Sequence, residues 1–96
     1  MPNGRPNYYK KLNLTNSAFD KKNPTIQFDN QRNRITIVLD SLKNSLEYSF
    51  NGRDVDGELD WSDESITLDN CTIGRIWFKT DNSDGNGTPI RIFAWA

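Results

Sequence analysis

Few residues in this chain have the types and spacing that chemistry needs. There is no histidine and one cysteine. The usual general base is therefore missing, and a transition-metal site lacks its commonest ligands. Cys71, within "LDNCTIG", has no neighbouring base or cationic run to lower its pKa, so it reads as an inert thiol. Asp54 and Asp56 are a carboxylate pair of the kind that cleaves glycosides, but their two-residue spacing puts both on one face of a strand. A sugar ring has to be framed from opposite sides. Two oxygen-rich stretches, "NSDGNG" and "DVDGELD", resemble fragments of a calcium loop. The twelfth position, where a glutamate is required, holds Phe93 in the first register and Ser65 in the second. We expect no catalysis, no metal and no cofactor.

Aromatic and cationic side chains remain, and they suit contact rather than catalysis. "YYKK" sets Tyr8 and Tyr9 beside Lys10 and Lys11, with Arg5 just upstream. Such a group could stack on bases, yet the whole chain has a net charge of -1. Nucleic-acid binders usually carry a strong basic excess, so no nucleic-acid partner is expected. Charge is nonetheless segregated. Residues 1–24 hold five basic side chains against Asp20, and residues 53–70 hold seven acids against Arg53. A solvated face explains such runs ordinarily. The alternative is that the basic segment of one copy meets the acidic face of another copy or of a different protein, since complementary patches register association.

The elements that position these residues follow from two-residue alternation. Ile26 and Phe28 share one face of "TIQF", and Ile35, Ile37 and Leu39 one face of "RITIVLD". "SLEYSF", "DVDGELDW", "SITLD", "RIWFK" and "PIRIFAW" alternate in the same way, and "KLNL" supplies an eighth segment at most. Gly, Asn, Asp and Ser clusters separate them. Alternating runs at this spacing predict an all-β fold, an antiparallel β-sandwich or jelly-roll-like barrel of seven to eight short strands. No stretch holds a helical period. One domain over residues 12–96 fits the length, with 1–11 as an extended basic arm that could be removed without loss of the fold. No apolar run approaches the ~20 residues that span a bilayer, so no membrane partner is expected.

Two hairpins are expected. Asn51-Gly52 suits a two-residue type I′ turn, which would put Tyr48 opposite Val55 and Asp56 opposite Glu47. Opposed acids destabilise a sheet, so a basic group should lie nearby. The second hairpin runs through "DNSDGNGT" and would set Phe78 against Ile90 and Ile76 against Ile92. Its other face would then carry Trp77, Arg75, Phe93, Trp95 and Arg91. A solvated sheet needs only one apolar face. This second face is expected to lie under the N-terminal segment or against a second subunit, where aromatics and arginine concentrate.

The half of the chain from Leu46 onward also resembles small structural proteins of tailed bacteriophages. The matching residues are Ser49–Phe50–Asn51–Gly52, Gly57 and Leu59, Leu68–Asp69–Asn70, the run Arg75–Lys79, and Ile90 through Trp95. Asn51 stands where the related pattern has Asp. The resemblance implies a virion β-sandwich present in many copies, assembled in the bacterial cytoplasm. It implies a capsid decoration (cement) protein that forms homo-oligomers and binds adjacent shell proteins. A tail, baseplate or fibre-attachment role is the alternative within the particle. Outside it, the alternative is a carbohydrate-binding module using Trp61, Trp77 or Trp95 as a stacking platform.

Overall fold

A computed structural model of the protein describes residues 6–41, 43–60, 65–81 and 85–96. These residues form six strands and no helix: β1 (Tyr8–Leu14), β2 (Ile26–Leu39), β3 (Leu46–Ser49), β4 (Gly57–Leu59), β5 (Ser65–Thr80) and β6 (Thr88–Trp95). All pairings are antiparallel, in one sheet of order β1-β6-β2-β5-β3-β4. The strand count is lower than the alternating segments suggest because two pairs of them fuse. "TIQF" and "RITIVLD" lie in the single 14-residue β2, and "SITLD" and "RIWFK" in the 16-residue β5.

Both long strands are irregular where their halves join. Between Gln27 and Arg34 the β2–β5 register shifts twice. Asn70, at the matching place on β5, has φ +55°. Asn tolerates this left-handed geometry better than most residues. Bulges bend strands and sharpen twist. The ladder partners change across the irregularity. The Arg34–Leu39 half of β2 lies between β6 and the start of β5, while β3 pairs with the end of β5, Trp77 to Thr80.

Most of the core occupies inward positions that alternation predicts, although Phe50, Ile66 and Leu68 are only partly buried and Trp77, on the other face, is buried too. Ile35, Ile37, Leu46, Ile76, Phe78, Ile90, Ile92 and Ala94 are fully buried, and Ile26, Phe28, Leu39, Tyr48 and Leu59 nearly so. Val55 is instead 45% exposed, because the expected Asn-Gly turn does not form. Leu46 pairs with Leu59 and Tyr48 with Gly57, two residues out of the expected register. Only Gly52 of the Asn-Gly pair has positive φ, whereas a type I′ turn needs it at both. Side chains hold a longer loop. Asn51 Oδ1 accepts from the Arg53 and Asp54 amides at 2.8 and 2.9 Å, and Ser49 Oγ from the Gly52 amide at 2.9 Å. Asn thus forms a local side-chain turn in place of the backbone one.

The acidic cross-strand pair exists in altered form: Glu47 faces Glu58. Its basic counterpart comes from the same sheet, since Lys79 is Glu47's partner on β5. Gly57, beside Glu58, has no room for a side chain because the Tyr48 phenol fills that space.

The N-terminal boundary also moves. Tyr8 to Lys11 belong to β1, which pairs with β6 from Tyr8↔Ala94 to Leu14↔Thr88. An arm ending at residue 11 would cut through that strand. The pairing wins because Tyr8, Leu12 and Leu14 turn inward onto the apolar cluster. Arg5 lies outside the described residues.

Candidate functional site

The predicted terminal hairpin is replaced by a different neighbour relation. β6 lies between β1 and β2, and β5 does not pair with it. The expected row of Trp77, Arg75, Phe93, Trp95 and Arg91 is therefore split. Trp77 is 7% exposed, its indole N–H donates 2.7 Å to the Asp20 carbonyl, and Gly52 lies against its ring. A Cβ at Gly52 would come within 2.8 Å of that ring, on a backbone with φ +77°. Trp77 is thus enclosed by its own chain. Arg75, exposed, stands opposite Gln27 on β2.

Phe93 and Trp95 do share the outward face of β6, with Arg91 and Pro89, because Ile90, Ile92 and Ala94 turn inward. Tyr9, opposite Phe93 on β1, meets its ring at 4.9 Å between centroids. On the other side Arg34 stands opposite Trp95, its guanidinium carbon 5.0 Å from the centre of an indole ring. Arg34 also pairs with Asp69 at 3.1 Å, and Thr36 is joined to Thr67 at 2.9 Å. The result is one outward surface across β1, β6, β2 and β5. Tyr9, Phe93 and Trp95 form its aromatic centre, with Arg34 over one end.

Two details mark this surface. Tyr9 is 54% exposed, one of two large apolar side chains so exposed among the described residues. The Trp95 N–H is shielded from solvent and has no acceptor among the described residues. A buried donor left unmade costs about 1–3 kcal/mol.

Arg91, on the same outward face of β6, turns to Asp40 rather than to the rings. Its Nε and one terminal nitrogen reach the two carboxylate oxygens at 2.8 and 2.9 Å, a bidentate pair that raises the guanidinium pKa further. Lys11 stands opposite Arg91 and Lys10 opposite Ile92, both exposed on the β1 edge. Tyr8 faces inward, packed edge-on against Phe28 at 4.8 Å, and burial raises its phenol pKa while nearby Arg32 partly offsets this.

Sequence reasoning missed Arg34, Thr36 and Thr67. Their signal is the polar half of the "RITIVLD" and "SITLD" alternations, which becomes informative once β2 is known to flank β6.

An open groove of about 430 Å³ lies elsewhere on the molecule, lined by Gln31, Phe50, Thr72, Ile73, Arg75 and Trp77, among others. The enclosed Trp77 ring offers no open face for a sugar, and one face of Trp95 is taken by Arg34. Trp61 lies outside the described residues. The Cys71 thiol is half-buried, its pKa raised chiefly by burial and further by Asp69, against a backbone hydrogen bond that lowers it. Among the described residues no group of acidic, histidine or cysteine side chains could hold a metal.

No protein-family model matches the chain, and no significant match is found among curated proteins or solved structures.

Proposed function

We propose that the protein is a non-enzymatic structural component of a bacteriophage virion, a capsid decoration or cement module that works as an oligomer. In this reading the bent sheet closes over its core as a β-sandwich. The outward surface of β1, β6 and β2 is the contact with a neighbouring subunit or shell protein. The observation that carries it is the aromatic centre Tyr9–Phe93–Trp95 with Arg34 laid across it. Aromatic and arginine side chains dominate the energetics of protein contacts. The Trp95 N–H has no acceptor among the described residues, so an acceptor supplied by another chain would satisfy it. The resemblance of its short motifs to those of tailed-phage structural proteins is what favours a virion as the setting for that partner. Binding that selects the assembled shell stabilises it by mass action.

Gradient-purified virions from a producing culture are expected to contain the chain, and Trp95→Ala should cut its occupancy roughly tenfold or more. The variant should still fold, as circular dichroism would show, because the ring lies on the outward face of β6 rather than in the core. Absence of the chain from virions overturns the proposal. So does full occupancy by a folded Trp95→Ala variant. Labelled particles viewed by electron microscopy separate a head position from a tail or baseplate one.

A further inference from the structure

The two ends of the strand order are open edges of opposite charge, distinct from the Ser65–Asp69 half of β5, whose side away from β2 is also unpaired among the described residues. β1 forms one end of the strand order and β4 the other. Among the described residues no strand pairs with the outer side of either. Open edges are templates for pairing, and proteins guard them with charged side chains. On β1 the guards are Lys10 and Lys11. On β4 the guard is Glu58, which is exposed; the nearby Asp56 carboxylate accepts from the Phe50 amide at 2.7 Å and adds negative charge to this end of the sheet. Asp56 continues the edge beyond the strand, its amide donating 2.8 Å to the Tyr48 carbonyl.

These charges discriminate between partners. Two β1 edges brought together would set lysine against lysine, and two β4 edges acid against acid. Each edge excludes itself, while a β1 edge and a β4 edge attract. Like charges directly opposed destabilise a ladder and opposite charges support it.

We infer that β1 of one copy pairs, edge to edge, with β4 of the next. The contact is heterologous, so repetition gives a ring where the rotation closes and an open filament where it does not. Backbone hydrogen bonds supply the contact, as in other strand additions, and the charges set its direction. With only three residues in β4 each joint is short and individually weak. This inference deepens the oligomeric part of the reading above and uses a different surface from its aromatic centre.

Charge reversal tests it. Lys10→Glu/Lys11→Glu makes both edges acidic, and Glu58→Lys makes the β4 edge more basic. Neither should harm folding, since Lys11→Glu sets a carboxylate opposite Arg91 and Glu58→Lys sets an ammonium opposite Glu47. Circular dichroism checks this. By sedimentation at low salt, the wild type should self-associate and lose association as salt rises. Each variant alone should associate roughly tenfold or more weakly, and an equimolar mixture of the two should recover association. Folded variants that keep wild-type association overturn the inference, as does a mixture that stays dissociated. If Trp95→Ala dissociates the protein while the edge variants assemble normally, the edge contact falls and the aromatic one stands. A wild type that is monomeric throughout removes both contacts.

Discussion

Arg32 shows how little of a side chain's role is carried by its type. A sequence reading gives it no part, yet it is 8% exposed, with its guanidinium 5.1 Å from the Phe28 ring centre and 5.8 Å from that of Tyr8. One terminal nitrogen donates 2.8 Å to Asn7, Nε has no acceptor, and no carboxylate pairs with it among the described residues. Burying an ion costs several kcal/mol. Two cation–π contacts return about 1–2 kcal/mol each when desolvated, and one hydrogen bond about another 1. These terms nearly cancel, which leaves the aliphatic stem as the main contribution. Arg32→Met keeps that volume and adds sulfur–ring contacts, so its stability should lie within about 1 kcal/mol of wild type. Arg32→Ala should lose about 2 kcal/mol or more by leaving a cavity. Urea melts of the two variants decide this. Equal losses would show that the charge, not the packing, holds the site.

At the scale of elements, alternation was legible and neighbour choice was not. The inward residues Ile35, Ile37, Leu39, Ile90, Ile92 and Ala94 follow directly from a period of two, because a buried face must be apolar at every second position. The same period is silent on which strand lies beside which. β5 and β6 look like a hairpin because only a short loop separates them, yet β6 pairs with β1 and β2. The aromatic surface was half legible for the same reason. Phe93, Trp95 and Tyr9 are visible as outward aromatics, but Arg34 joins them only through the β2–β6 register. Fusion of segments was also hidden, since Asn30 and Asn70 look like turn residues and instead sit inside strands. Asn70 makes the point testable. Its φ of +55° lets β5 continue through the irregularity rather than end there. Asn70→Val should cost about 1–2 kcal/mol, because a β-branched residue resists that geometry. Asn70→Gly should be near neutral. Urea melts showing the two variants equally stable would mean that the backbone relaxes and the bend does not depend on residue 70.

For the whole molecule, the decisive contact joins residues far apart in the chain. β1 begins its ladder at Tyr8↔Ala94, and β6 rests on β2 from Arg34↔Trp95 to Leu39↔Ile90. β6 is thus an interior strand whose flank is closed by the N-terminal segment. Pairings of such sequence separation bring contact after a large loop-closure cost, so folding should fall in the slow, millisecond-to-second range of β proteins. A domain of this size has about 5–14 kcal/mol of total stability. Removing residues 1–11 deletes most of β1. It takes away the inward Tyr8 and bares the β6 ladder beside Ile92 and Ala94, both fully buried in the intact protein. A fully buried aromatic is worth about 3–5 kcal/mol; Tyr8 is partly buried and contributes less, but its β6 ladder pairing is lost with it. The truncated chain should therefore lose at least about 3 kcal/mol in urea unfolding and expose apolar surface to a hydrophobic dye. The reading of residues 1–11 as a removable arm makes the opposite prediction, an unchanged midpoint. That outcome would mean that β2–β6 pairing holds the final strand by itself and that β1 is an added edge rather than part of the fold.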